Sequence, residues 1–124
     1  MRTLADVIEE FANSEQGKNF ERKMKAERDK SPAKFERKFD REAMMLAMEI
    51  NGRCKIINYY SQLIEQDRIN WESGNTDDLM TDEEMSEVWN LRSENIHACS
   101  EALRKYDERI KLLDQAVVDE ESSK

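Results

Sequence analysis

Apolar residues recur every three or four positions along the last third of the chain. The ladder holds one charged member, Arg92. Its positions are Met85, Trp89, Arg92, Ile96, Cys99, Leu103, Tyr106, Ile110, Leu113 and Val117. An average spacing of about 3.5 residues is typical of a long helix that packs along other helices. Thr81 and Glu84 match the capping-box pattern of a helix start, so we expect this helix over residues 81–118.

A second helical pattern covers residues 32–72. Ser31 and Pro32 favour a helix start there, because proline in a first turn needs no amide hydrogen. The apolar positions are Phe35, Phe39, Ala43, Leu46, Ile50, Ile57, Tyr60, Ile64 and Trp71. Asn51 and Gly52 also match a two-residue β-hairpin turn. The residues on either side fit a helical stripe better than a strand, which favours a helix with a kink at this point.

Shorter helical patterns precede the two long ones. Thr3 and Asp6 match a capping box, and an apolar stripe follows them as far as Asn13. A weaker helical pattern, with few large apolar residues, covers residues 18–29. The sequence therefore predicts one or two short N-terminal helices.

These elements predict a single all-α domain over residues 1–118. Its main part, residues 31–118, is expected to fold back as a long antiparallel helical hairpin, and residues 119–124 are expected to form a disordered polar tail. The short first helix cannot cover the hairpin, so we expect a homo-oligomer, with a dimer favoured. The predicted oligomer interface consists of Val88, Leu91, Ala102, Leu112 and Ala116.

The charge of the chain limits its function classes. Charged residues make up 39% of the sequence and the net charge is −8, so the molecule as a whole is not a typical nucleic-acid binder. No apolar run reaches membrane-spanning length, and acidic residues near the first methionine do not fit a secretory signal. We therefore expect a cytoplasmic protein that does not enter membranes, with both cysteines reduced.

Acidic residues concentrate around the predicted hairpin loop. Between Glu65 and Glu87 there are nine acidic residues and one basic residue, Arg68. We call the predicted binding surface at this end the acidic tip. It comprises Glu65, Asp67, Trp71, Glu72, Asp77, Asp78, Asp82, Glu83, Glu84 and Trp89. Such a cluster is usually only a solvated surface, but charge that steers encounter and aromatic anchors also suit docking onto a basic partner.

Basic residues concentrate instead between residues 18 and 41, with phenylalanines among them. Such a pattern also occurs in proteins that bind nucleic acid, so this remains an alternative function. The residues that would bind are Lys30, Lys34, Arg37 and Arg41. The antiparallel register places acidic residues near Asp114 and Glu121 beside them, and ion pairs within the fold are the competing interpretation.

Candidate catalytic or metal-binding chemistry is sparse. Glu94 and His97 have the spacing that ligates iron or manganese in carboxylate-bridged helical bundles, with Glu65 upstream. Glu94 and His97 point outward in the heptad frame, so a metal site is a remote alternative. Cys54 and Cys99 fall opposite each other in the hairpin register, and we expect two buried thiols. Arg92 would stack on Tyr60 across the hairpin. We predict no catalytic residue, metal or cofactor.

The sequence thus predicts a non-enzymatic protein-interaction module that acts as an adaptor, an assembly factor or an inhibitor. Its acidic tip would bind a basic surface of another macromolecule. A small acidic helical protein of this kind would also suit a phage or mobile-element accessory protein.

Overall fold

A computed structural model describes residues 1–124 and confirms the all-α class, with 89% of the residues helical and no strands. The helices are α1 Leu4–Asn13, α2 Glu15–Lys30, α3 Pro32–Phe39, α4 Arg41–Glu72 and α5 Asp82–Ser122, with a 3₁₀ turn at Thr76–Asp78. The chain divides into two compact units. Unit 1 contains residues 1–40 and 112–124, and unit 2 contains residues 41–111.

In unit 1, the boundary between α1 and α2 is built from local contacts. Ser14 caps α2, and its Oγ accepts a hydrogen bond from the amide of Gly17 at 3.0 Å. Gly17 is buried, and a Cβ there would lie 1.8 Å from the carbonyl oxygen of Phe11. Glycine is therefore required for this close approach. The second helix begins at Glu15, earlier than the predicted start at residue 18, because Ser14 supplies the cap.

The start of α3 is held by the end of α5. Ser31 is the residue before the helix, as predicted, but its hydroxyl does not cap α3. It donates instead to Oε2 of Glu120 at 2.5 Å, and the amide of Ala33 donates to Oε1 of the same carboxylate at 3.5 Å. With this contact, α5 extends to Ser122, four residues beyond the predicted end.

The long helix predicted over residues 32–72 is interrupted at Asp40. The backbone of this buried residue has ψ of 123°, outside the helical region, so α3 ends at Phe39 and α4 begins at Arg41. Aspartate is among the residues preferred immediately before a helix start, which suits a new helix here. The predicted single helix is therefore wrong in its first quarter.

In unit 2, α4 passes through Asn51 and Gly52 without interruption, so the β-hairpin alternative is wrong. The helix ends at Glu72, and Gly74, two residues later, has a left-handed φ of 78°. The amide of Asn75 donates to the carbonyl of Asn70 at 2.8 Å, and that of Gly74 to the carbonyl of Trp71 at 3.3 Å. These two bonds form the Schellman motif, which satisfies the last carbonyls of a helix.

The predicted capping box at the start of α5 is present. The amide of Glu84 donates to Oγ1 of Thr81, and the amide of Thr81 donates to Oε1 of Glu84, both at 3.1 Å. Thr3 and Asp6 form the corresponding box at the start of α1. Each box satisfies amides that have no partner within the helix.

The buried face of α5 differs from the predicted ladder. Val88, Asn95 and Ala102 are buried, whereas Trp89 and Leu103, which are ladder positions, are 46% and 49% exposed. Over this stretch, the buried residue lies one position before every second residue of the ladder: Val88 precedes Trp89, Asn95 precedes Ile96 and Ala102 precedes Leu103. Asn95 can be buried because its side-chain oxygen accepts from Nη1 of Arg53 at 2.8 Å and its nitrogen donates to the carbonyl of Leu91 at 2.7 Å.

Side chains of α4 contact side chains of α5 at several levels within unit 2. Oε2 of Glu42 lies 3.4 Å from Nε of Arg109, and Sγ of Cys54 lies 4.0 Å from Sγ of Cys99. Further along α4, Oγ of Ser61 accepts from Nε of Arg92 at 2.9 Å.

Candidate functional site

The acidic tip lies wholly within unit 2, and one cation partly neutralises it. Arg68 forms ion pairs with Glu65 and with Glu72, the second at 2.6 Å. The hydrogen bond from Arg68 holds the pKa of Glu65 below its usual range. These three exposed side chains form a chain along one face of α4, which leaves Glu65 and Glu72 largely compensated.

Three further acidic residues accept hydrogen bonds within the acidic tip. Oδ1 of Asp67 accepts a hydrogen bond from the amide of Met80 at 2.8 Å, which ties the connecting segment to α4. Oδ2 of Asp78 accepts from the side-chain amide of Asn75 at 2.8 Å. Glu84 belongs to the capping box of α5. Their predicted role in binding is therefore combined with a structural one.

The remaining acidic residues face solvent. Asp77, Asp82, Glu83 and Glu87 are exposed, and Arg68, the one basic residue of the segment, is paired elsewhere. Asp82, Glu83 and Glu87 line a shallow groove on the first turns of α5, together with Leu91. Negative charge at this end of α5 also suits the helix dipole. Asp77, Asp82 and Glu83 of the acidic tip, with Glu87 beside them, are therefore open to solvent.

The two tryptophans of the acidic tip are exposed. Trp71 is 70% exposed, and Trp89 is 46% exposed. The guanidinium of Arg92 lies 5.5 Å from the centre of the Trp89 ring, so Arg92 stacks on Trp89 and not on Tyr60 as predicted. The reason is the displaced buried face of α5, which turns Trp89 outward beside Arg92. Large exposed aromatic residues next to uncompensated charge are typical of binding surfaces.

The basic segment is partly paired within unit 1. Nζ of Lys34 lies 3.2 Å from Oε1 of Glu121, and Nε of Arg37 lies 2.6 Å from Oδ1 of Asp114. Lys30 and Arg41, the other two predicted nucleic-acid contacts, are exposed. Sequence reasoning named this pairing as the competing interpretation, and two of the four cations follow it.

The candidate metal ligands remain on the surface. Glu94 and His97 are exposed, and Glu65 is paired with Arg68. No group of three or more histidine, cysteine, aspartate or glutamate side chains gathers as a metal site would require.

The two cysteines are close but unequal in exposure. Both are free thiols; Cys99 is buried, and Cys54 is exposed, contrary to the expectation of two buried thiols. Burial and the neighbouring Cys54 raise the pKa of Cys99. Cys99 thus belongs to the core of unit 2, whereas Cys54 lies at the margin of that core.

The predicted oligomer interface is partly occupied by the core of the protomer. Val88 and Ala102 are 8% and 2% exposed, so they offer no surface to a second chain. Leu112 is 65% exposed, and Ala116 is also exposed, but both belong to unit 1. Sequence reasoning missed a different set of exposed apolar residues on α4. They are Met44, Met45, Met48, Ile56 and Tyr59.

No helix of the protein combines the length and the apolar character needed to cross a membrane. Comparison with protein-family models, with curated proteins and with solved structures finds no match to this chain.

Proposed function

We propose that the protein is a non-enzymatic, helical interaction module that binds a basic surface of another macromolecule through its acidic tip. The observation that carries the proposal is the combination of exposed, unpaired carboxylates with exposed Trp71 and Trp89. Opposite charge speeds and orients encounter, and buried aromatic side chains supply most of the affinity of many interfaces.

The proposal includes an antiparallel hairpin formed by α4 and the part of α5 up to Lys111. It is supported by the contacts that pair Glu42 with Arg109, Cys54 with Cys99, and Asp67 with Met80. In such a hairpin the acidic residues on both sides of the connecting segment gather at one end. An inhibitor or accessory protein of a phage or mobile element would use such a surface to block a basic site in the cytoplasm.

The proposal also includes self-association into a homodimer. Large apolar side chains of α4, among them Met45, Met48 and Tyr59, form part of the accessible surface of unit 2. A partner chain would remove part of it from water.

The alternative function, nucleic-acid binding through residues 18–41, has less support. Lys34 and Arg37 already neutralise acidic residues of α5, and their release would leave Glu121 and Asp114 unpaired. Oligonucleotide binding at low salt that is abolished by Lys34→Ala with Arg37→Ala would favour it. Absence of binding to single- and double-stranded oligonucleotides would remove it.

The test compares capture of proteins from a lysate of the source cell. One variant carries Asp77→Asn, Asp82→Asn, Glu83→Gln and Glu87→Gln, a set that leaves the capping box and the Asp67 bond intact. The control changes four exposed acidic residues of unit 1 and shifts the net charge equally. Those four changes are Glu9→Gln, Glu21→Gln, Glu27→Gln and Glu36→Gln.

Mass spectrometry should identify a basic protein that the native chain and the control retain and the tip variant loses. Trp71→Ala should weaken that binding by about tenfold or more. Because Trp71 is 70% exposed, helicity should remain unchanged in this variant. Equal recovery of every partner by all the variants would contradict the proposed site.

A further inference from the structure

An apolar stripe runs along the outer side of α4. It consists of Met45, Met48, Gly52, Ile56 and Tyr59, separated by three, four, four and three residues. The four side chains are 59%, 72%, 40% and 58% exposed. At 3.6 residues per turn these positions share one side of the helix. We call this set the α4 stripe.

The α4 stripe points away from the core of unit 2. Ala43 and Leu46 are the buried residues of α4, and they lie on the other side of the helix from Met48 and Tyr59. The stripe is therefore a second apolar face, which packing within the unit leaves exposed. A helix with apolar residues on two opposite faces usually has a partner on each.

Gly52, at the centre of the stripe, is not required to be glycine by any contact within the protomer. Its φ is not positive, and a Cβ added to it would meet nothing within 4 Å. A glycine in the middle of a helix weakens that helix relative to alanine. Its advantage would lie outside the protomer, because a helix without a Cβ at one point lets another backbone approach closely there.

The spacing of the α4 stripe is the same in both directions from Gly52. Met48 and Ile56 are each four residues away, and Met45 and Tyr59 are each seven residues away. A two-fold contact requires a surface that fits its own reversed copy. With the axis at Gly52, Met48 of one copy comes to the level of Ile56 of the other, and Met45 to the level of Tyr59.

The charges beside the stripe are compatible with this arrangement. Glu49 and Lys55 are each three residues from Gly52 and carry opposite charges. In the antiparallel arrangement Glu49 of one copy lies at the level of Lys55 of the other, so like charges do not meet. A stable interface needs about 800 Å² from each partner, and the four exposed apolar side chains of the stripe would contribute to it.

We infer that a second copy of this chain covers the α4 stripe, so that two α4 helices cross antiparallel with Gly52 at the crossing point. This inference deepens the homodimer of the proposed function by giving it a surface and a symmetry. It is independent of the acidic tip, because none of the five stripe residues belongs to that surface.

Sedimentation equilibrium of the native chain should give twice the protomer mass of 14.7 kDa at micromolar concentration. Met48→Lys should raise the dissociation constant of the dimer by about tenfold or more, because it buries a charge in an apolar contact. Asn51→Lys is the matched control, because this substitution adds the same charge at an exposed residue that lies outside the stripe. It should leave the dimer intact.

Cross-linking tests the position of the axis. In a chain with Cys54→Ser and Cys99→Ser, Gly52→Cys should form a disulfide-linked dimer on exposure to oxidised glutathione. Two such cysteines at a crossing point lie side by side. Asn58→Cys is the control: Asn58 is exposed and about 9 Å along the helix from Gly52, so its two copies stand about 18 Å apart and should not cross-link.

Gly52→Ala provides a measurement that does not depend on a disruptive charge. It should raise the thermal midpoint of the dilute, monomeric chain and weaken the dimer, because two methyl groups then meet at the crossing. A native chain that stays monomeric would overturn the inference. A dimer unaffected by Met48→Lys would also overturn the inference, because such a dimer must use another surface. Binding through the acidic tip is a separate measurement in either case.

Discussion

The sulfur atoms of Cys54 on α4 and Cys99 on α5 lie 4.0 Å apart, although 45 residues separate the two thiols in sequence. A disulfide requires the sulfurs to approach to about 2.05 Å, a movement of roughly 2 Å. The pair is therefore a direct probe of the proposed hairpin.

Oxidised glutathione should convert Cys54 and Cys99 into an intramolecular disulfide. The two thiols lose two hydrogens and glutathione disulfide is reduced to two thiols, so the mass of the chain falls by about 2 Da. The exposed Cys54 should react first, and the thiol of Cys99 should then displace glutathione. The bond should raise the thermal midpoint by several degrees, because it closes a long loop in the unfolded chain.

Mass spectrometry after proteolysis would identify the linked peptides, and Cys54→Ser would serve as the control for the mass loss. A stable glutathione adduct on Cys54 with no cross-link to Cys99 would contradict close pairing of α4 with α5. Disulfide-linked dimers through Cys54 would contradict it as well.

Neighbouring leucines at the end of α5 differ in burial and should differ in their contribution to stability. Leu113 is 5% exposed, whereas Leu112 is 65% exposed. Leu113→Ala should lower the free energy of unfolding by about 2–4 kcal/mol, and Leu112→Ala should change it by less than about 0.5 kcal/mol. Urea unfolding followed by circular dichroism measures both. An equal decrease in the free energy of unfolding for both substitutions would mean that Leu112 is buried against another surface in solution.

Two glycines of unit 2 should respond in opposite directions to alanine. Gly74 has a φ of 78°, and an added Cβ would meet no neighbour within 4 Å, so the effect there comes from the backbone alone. Gly74→Ala should destabilise the chain by about 1–2 kcal/mol. Gly52→Ala should stabilise the monomer by about 0.5–1 kcal/mol. Thermal unfolding at low protein concentration distinguishes the two signs; a stabilising Gly74→Ala would argue against the Schellman ending of α4.

Acid should release the end of α5 from the start of α3 within unit 1. The hydrogen bond from Ser31, with a smaller effect of the Ala33 amide, lowers the pKa of Glu120 below its usual range. A carboxylate whose pKa is lowered in the folded protein stabilises the folded state at pH values above its pKa in the unfolded chain. This contribution disappears as the pH falls through its pKa in the folded protein.

Hydrogen exchange measured by NMR should therefore show faster exchange of the Ala33 amide once Glu120 is protonated, beyond the change expected from the intrinsic rate. Glu120→Gln should show the faster exchange already at neutral pH. The neighbouring Glu121→Gln removes an exposed ion pair with Lys34 and serves as the control. Equal protection of Ala33 in the native chain and in Glu120→Gln would contradict the contact.

The helices were predictable where their signals are local. Thr81 with Glu84 and Thr3 with Asp6 form the expected capping boxes, since each box involves residues only three apart. The position of the connecting segment was also predictable, because Gly74 follows an apolar pattern that ends there. The concentration of acidic residues around that segment, and hence the candidate site, followed from the sequence alone.

Other features depend on neighbours that are distant in sequence. The ladder places Ile96 on the packed face of α5, yet its neighbour Asn95 is the buried residue, because Arg53 supplies its partner from another helix. The heptad pattern cannot reveal the burial of Asn95, because it depends only on the spacing of apolar residues along the chain. The α4 stripe was missed for a related reason, since Met45 and Met48 extend an apolar run that does not show which side faces the core.

By itself, the sequence determined the all-α class, the caps of α1 and α5, the end of α4 and the place where negative charge accumulates, because helix periodicity, capping and charge are properties of residues close together in the chain. Only the tertiary structure decided the interruption at Asp40, the extension of α5 to Ser122 and the displaced buried face of α5. The last two depend on which polar group finds a partner across the fold, and the hydrogen bonds of Glu120 and Asn95 supply such partners from residues more than forty positions away.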